Sequence, residues 1–327
     1  MPTDETSLHR LDKPLIAAGF MRLLPISLFV VAFGAAFGLA ATQEGLDDSI
    51  IMLMSALVFA GASQFAALEL WGTQVPLFTM LVTVFAINAR HLLMGATLYP
   101  WLSQLPPARR YGAMVVASDA NWAMAMQAFG RKEPGLGILF GGGLALWLCW
   151  VLGTWLGIYF GNAVGDPKSL GLDMVMGCFL LAMVVGGEKN LRMVFIWAVA
   201  AVSSLLAYWY LPQAVLPDCY GRAGMSIETD ALGALLVVFA MALVTLATRW
   251  GGVWVMSFVP IGYRVKQFIH AMSGSVLVAI ITPMALEGDL GARMALLTTA
   301  VFMLVLKKPL PAIAAGILAA GLIRQFW

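Results

Sequence analysis

The chain has 327 residues, of which 61% are hydrophobic and only 11% charged, with a net charge of +2 and a mean hydropathy of +0.89. A soluble domain of this size needs roughly 25% charged residues to cover its surface, so a water-soluble globular protein is excluded. The basic residues are scattered through short loops and form no stripe, which excludes a nucleic-acid footprint. The composition fits an all-α polytopic membrane protein whose solvent is the lipid bilayer.

Residues 1–22 carry acids ahead of any apolar core and no basic stretch joined to a short hydrophobic one. They read as a cytoplasmic N-terminal segment, and the first span, not a cleaved signal peptide, acts as the insertion signal. Breaking the rest at Pro, Gly and charge clusters predicts about eleven transmembrane helices: 23–41, 50–70, 75–98, 111–129, 136–161, 170–187, 193–211, 231–249, 267–286, 292–306 and 309–326. The stretch 251–262 is apolar but too short to cross comfortably, so it lies in the interface or re-enters the membrane. A polar linker at 212–230, with Pro212, Pro217, Gly221 and Gly224, divides the chain into seven helices and four.

Orientation follows from basic loops. With the N-terminus cytoplasmic, the cytoplasmic loops also hold Arg131 and Lys132, Lys189 and Arg192, then Arg249, Arg264 and Lys266, then Lys307 and Lys308. The opposite loops are net acidic, with Arg109 and Arg110 as the exception. Cys149, Cys178 and Cys219 have no metal-type or disulfide-type spacing, and no metal or other cofactor is expected. Glu69 and Asp173 sit near span ends, Glu188 pairs with Lys189 in a loop, and His270 with Lys266 reads as interfacial. The glycine-rich run from 141 to 157 reads as helix packing.

Three stretches place polar groups at membrane depth, where each ionisable group costs at least about 2.5 kcal/mol and needs a partner or a wet cavity. In "FAGASQFAALEL", Gly61, Ala62 and Ser63 permit close backbone approach and Gln64 follows; a helix interrupted at Gly61 would present N–H groups to a carboxylate. Small-residue packing explains the same pattern. In "NARHLLMGA", Asn88 and His91 share a helix face and Arg90 points to either side. Snorkelling of Arg90 and His91 to headgroups is the alternative there. In "VVASDANWAMAM", Asp119 and Asn121 lie near the centre of a span. A carboxylate is too short to snorkel, so Asp119 must be protonated, facing water, or paired with Arg90 or His91.

These stretches, "FAGASQF", "NARHLLMGATL" and "SDANWA", follow an opening helix "LPISLFVVAFGAAFGLAA". Together they resemble the AzlC family of branched-chain amino acid permeases. The four-helix part, with "ATRW" at 247–250 and "KKPL" at 307–310, is similar to AzlD, its small partner subunit. The two are usually separate chains. Here the resemblance implies an AzlC-like domain at 23–211 and an AzlD-like domain at 231–327 fused in cis. It implies a secondary transporter of the bacterial inner membrane that exports branched-chain or other hydrophobic amino acids. Members commonly read T-D-E where this chain has Ser118, Asp119 and Ala120, so a second carboxylate is missing.

A zwitterionic substrate needs a partner for each charge. Arg90, or N–H groups around Gly61–Ser63, would take the carboxylate. Asp119, with Asn88, Gln64 or Asn121, would take the ammonium. Asp119 and His91 are the proton-coupling candidates. Two alternatives stand: an exporter of another small polar or organic solute, and a membrane enzyme using His91 and Asp119 as acid and base, for which no nucleophile or metal motif is visible. Homo-oligomerisation is left open by the sequence.

Overall fold

In the computed structural model, the described residues are 9–161, 169–186, 191–210, 226–258, 275, 278–279 and 281–326. Cys219, Glu188, Lys189, Arg264, Lys266, His270 and most of the expected span 267–286 lie outside them.

Helix α1 (Lys13–Gln43) starts where Asp12 accepts a hydrogen bond from the Leu15 N–H at 3.2 Å and Pro14 fills the first turn. The expected start at 23 was too late, because a capping carboxylate and a proline set the boundary ahead of the apolar run. Arg22 therefore sits within the helix. Asp47 likewise caps α2 (Asp48–Val58) through the Ser49 N–H.

Three spans expected to be continuous are not. The stretch 50–70 divides into α2 and α3 (Gly61–Glu69). The stretch 75–98 becomes a short strand β1 (Gln74–Pro76) followed by α4 (Leu77–Asn88) and α5 (Arg90–Leu102). The stretch 111–129 divides into α6 (Pro107–Val115) and α7 (Asp119–Gly130). Helix α8 (Leu136–Gly161) is unbroken, and α9 (Val175–Gly186), α10 (Leu191–Tyr210), strand β2 (Ser226–Glu228), α11 (Ala231–Met256), α12 (Leu290–Leu306) and α13 (Pro309–Phe326) follow.

Among the described residues, four stretches are long and apolar enough to cross a membrane: Lys13–Gln43, Leu77–Leu102, Leu136–Gly161 and Ala231–Met256. Helix α11 shows why lipid is its solvent. Leu232, Leu236, Phe239, Leu243, Trp250 and Trp254 are exposed along one side, whereas Ala234, Val237, Val238, Met241, Thr245, Thr248 and Arg249 are buried along the other. An exposed apolar stripe of that length is unstable against water and natural against acyl chains.

Residues fall into two compact units: 1–159 with 226–266, and 160–225 with 267–327. In the first, β1 and β2 pair antiparallel, Val75 opposite Ile227. Helix α11 packs there against α2, α4, α5 and α6. Helices α1 and α8 meet through glycines at four-residue spacing: a Cβ at Gly34 or Gly38 would strike the backbone of Trp150 or Thr154, and one at Gly153 or Gly157 that of Val31 or Ala35. Small residues on both helices let the backbones touch, which is how membrane helices gain packing energy without a hydrophobic effect between them.

The second unit packs α9, α12 and α13 together. Asp173, expected to be solvated, is exposed yet ion-paired: the Arg324 guanidinium, at the end of α13, donates to both its carboxylate oxygens at 2.7 and 3.0 Å. It also donates to Asp289 ahead of α12 at 2.7 and 3.0 Å.

Two further expectations change. Residues 251–256 do not leave the membrane helix but form the last turns of α11; 259–262 lie outside the described residues. Arg249, read as a loop residue, is inside α11 and only 2% exposed. The pair Gly251–Gly252 looked like a helix end, but a Cβ at Gly252 would strike the Leu92 carbonyl, so this glycine allows α11 to lie directly on α5.

Candidate functional site

The first break lies between α2 and α3. Phe59 adopts the left-handed conformation (φ 43°, ψ 50°), which costs a non-glycine residue of order 1–3 kcal/mol and persists only when its surroundings enforce it, and Ala60 is non-helical (φ −145°, ψ 83°). Arg249 from α11 supplies the enforcement. Its Nη2 donates to the Phe59 carbonyl at 2.6 Å, its Nη1 reaches the Val58 carbonyl at 3.5 Å, and its guanidinium lies 5.4 Å from the centre of the Phe59 ring. The guanidinium thus satisfies carbonyls orphaned at the end of α2.

On the far side of the break, Gln64 Oε1 accepts from the Ala60 N–H at 3.2 Å, and Ser63 Oγ donates to the Ala60 carbonyl at 2.9 Å. Gln64 Nε2 reaches Ser55 at 3.5 Å, and Ser55 and Thr154 share a 2.8 Å hydroxyl hydrogen bond. Gly61 follows the break because a Cβ there would lie 2.8 Å from Cη2 of Trp150. The interruption at Gly61 anticipated from sequence is thus present, and packing and site are not exclusive readings of this stretch.

The second break, at 116–118, is built by Asn121. Its Oδ1 accepts from the Ser118 N–H at 2.7 Å and the Ser118 hydroxyl at 3.0 Å; its Nδ2 donates to the carbonyls of Val116 at 2.9 Å and Leu139 at 2.6 Å. Asp119 is therefore the first residue of α7, not a mid-helix residue as its place in the apolar run suggested. A carboxylate there is favoured by the helix dipole.

Between α4 and α5 the interruption is slight. Ala89 keeps helical angles (φ −55°, ψ −25°) while the Leu92 N–H turns to its carbonyl at 3.1 Å. Arg90 lies near the middle of the 77–102 stretch and does not snorkel: Nη1 is 3.2 Å from Asp119 Oδ2, and the two side chains are 11% and 22% exposed. Asn88 is fully buried and donates through Nδ2 to Ser63 Oγ at 3.2 Å and to Thr245 Oγ1 of α11 at 2.9 Å. His91 is also buried and within Coulombic range of both Arg90 and Arg249.

The first unit therefore brings Gly61–Gln64, Asn88–His91 and Asp119–Asn121 together through direct contacts, and α11 adds Thr245 and Arg249. Several buried polar atoms here have no hydrogen-bond partner among the described residues: Asn88 Oδ1, Arg90 Nε, His91 Nδ1, Trp150 Nε1 and Arg249 Nε. Such groups are rare in a finished core and mark places where a ligand or water completes the bonding. Thr245, Trp150 and Arg249 were missed from sequence. Only Arg249, ending an apolar run in "ATRW", carried a signal, and it was assigned to a loop.

Apolar membrane-length helices, with interrupted helices meeting at largely buried charges, define a polytopic α-helical membrane protein. Residues 25–164 match the family model of the AzlC protein, and residues 234–324 match that of the branched-chain amino acid transport protein AzlD. The chain belongs to these transport-related families as an AzlC–AzlD fusion. It is 25% identical over 205 residues to the inner membrane protein YgaZ of Escherichia coli, covering 59% of this chain and 82% of that one. An uncharacterized membrane protein of Archaeoglobus fulgidus is 28% identical over 226 residues (62% of this chain, 99% of that one). One of Helicobacter pylori strain J99 is 21% identical over 171 residues (52% and 75%). No solved structure matches.

Proposed function

We propose that the chain is a secondary transporter that exports branched-chain and other hydrophobic amino acids across the bacterial inner membrane in exchange for protons, with its N-terminus cytoplasmic. One observation carries this reading: two helix breaks coincide with ionic side chains, the partly buried Asp119 opening α7 after one and the buried Arg249 holding the carbonyls before the other. Breaks of this kind place polar and charged side chains inside an otherwise apolar bundle, where a polar solute needs them.

In this reading the substrate lies against Gly61, Ala62, Asn88, Arg90 and Asp119, while Ser63, Gln64 and Asn121 hold the breaks open. The substrate ammonium competes with Arg90 for Asp119, and release of Asp119 lets it take up a proton. His91, buried beside two arginines, is the second proton-coupling candidate.

The test is counterflow of labelled leucine by the full chain in proteoliposomes, with and without a pH gradient. Saturable exchange accelerated by the gradient is expected. A flat response across leucine, isoleucine, valine and methionine removes the transport assignment, and exchange indifferent to the gradient removes proton coupling alone.

A further inference from the structure

We infer that Arg249, on the AzlD helix α11, is the group that binds the substrate carboxylate, with the Asn88 side-chain oxygen as an acceptor for the ammonium. This rests on the amino acid transport reading above and names the ligands within it.

Arg90, Asp119 and Arg249 bring two guanidinium groups and one carboxylate within Coulombic range of one another in a largely buried region. Asp119 is taken by Arg90 at 3.2 Å. Arg249 is 2% exposed, and among the described residues it makes no ion pair; its partners are the carbonyls of Val58 and Phe59 and the face of the Phe59 ring, which offset only part of a full charge. Its Nε has no partner among them. An arginine so placed favours an anion at its free edge, because a buried charge without a full counter-charge is costly. Nη2 is already engaged with Phe59, so the anion is offered Nε and what remains of the fork, a geometry that matches a carboxylate.

The orphan acceptor belongs to Asn88 of α4, which is held at Thr245, one helical turn before Arg249 on α11. Asn88 donates to Thr245, four residues before Arg249 on α11, and to Ser63, just past the break whose other side Arg249 holds. The assignment of the Asn88 amide is fixed by bonding: Ser63 spends its only hydroxyl proton on the Ala60 carbonyl, so Asn88 must donate to Ser63 through nitrogen, leaving Oδ1 free. Thr245, which holds the Asn88 amide, and Arg249 stand on successive turns of α11, so a free buried donor with positive charge and a free buried acceptor are offered to the two ends of an α-amino acid. The resulting order, Arg249, carboxylate, ammonium, Asp119, Arg90, alternates in sign. Arg90 is then a partner of Asp119 and not the carboxylate ligand, and an AzlC domain binds its substrate through a residue that AzlD supplies.

The experiment measures binding to the purified full chain in nanodiscs, with leucine, leucinamide, which lacks the carboxylate, and 4-methylpentanoate, which lacks the ammonium. The wild type is expected to prefer both carboxylates to leucinamide, and Arg249→Gln to weaken them by about 10- to 100-fold while leaving leucinamide unchanged. Arg249→Lys, which keeps the charge but not the fork, should retain a weakened preference and serves where the glutamine variant does not fold. A carboxylate preference that survives Arg249→Gln, or an equal loss for all three ligands in the Lys variant, overturns the assignment. If the wild type binds 4-methylpentanoate but not leucine and the preference depends on Arg249, the amino acid reading fails while the anion site stands.

Discussion

Arg90 and Asp119 meet at 3.2 Å although they belong to different membrane segments, and Asp119 reaches Arg90 only because α7 starts at residue 119. The pair is mostly buried, so each charge depends on the other.

Removing one partner should therefore be worse than removing both. Asp119→Asn leaves Arg90 without its counter-charge and is expected to cost about 2 kcal/mol of stability, whereas Arg90→Gln combined with Asp119→Asn should restore much of it. Thermal melts of the four members of the cycle, in detergent, measure the coupling. Additive losses would show that the contact is incidental.

Gly61 is pressed against the Trp150 ring, so Gly61→Ala should cost about 1–3 kcal/mol by overpacking. Trp150→Phe removes Cη2, the atom that the new methyl would meet 2.8 Å away. The double variant should thus be more stable than Gly61→Ala alone. A Gly61→Ala protein that melts with the wild type would contradict this packing.

Gly252→Ala places a methyl on the Leu92 carbonyl, a backbone atom that cannot swing aside. It is expected to cost about 3 kcal/mol and to displace α11, carrying Thr245 and Arg249 away from the break at Phe59. Leucine affinity should fall along with stability while helical circular dichroism is kept. Unchanged affinity would mean that α11 tolerates a lateral shift without disturbing the site.

Arg324→Gln provides the contrast in the second unit. It removes the bonds to Asp173 and Asp289, but the Asp289 side chain is 51% exposed and solvent screens the pair, so the loss should be about 1 kcal/mol. Leucine affinity should not move. A variant that melts with the wild type but transports poorly would place Arg324 in the transport cycle instead.

The apolar segments were legible in the sequence because hydropathy reports burial in lipid directly, and α8, α10, α12 and α13 lie within two residues of their expected limits. The breaks were harder to read. "VFAGAS" contains nothing that forbids a continuous helix, and the left-handed Phe59 is imposed by Arg249, 190 residues away in sequence. The break before Asp119 did leave a local trace, since Ser118 followed by Asn121 is a helix-start signal. The apolar residues on both sides concealed it. Asp119 pairing with Arg90 was readable because a short acidic side chain at membrane depth has few options, whereas Arg249 was misplaced because Gly251–Gly252 was read as chain punctuation when it is a contact surface.

The antiparallel pairing of Gln74–Pro76 with Ser226–Glu228 fastens the chain immediately before α11 to the loop that leads into α4. A helix tethered in this way experiences an effective concentration in the millimolar range, set by the tether and not by how much protein is present. Its docking is consequently insensitive to dilution, its ratio to the rest of the site is set at one by translation, and exchange with a foreign small subunit would first require displacing a covalently attached competitor.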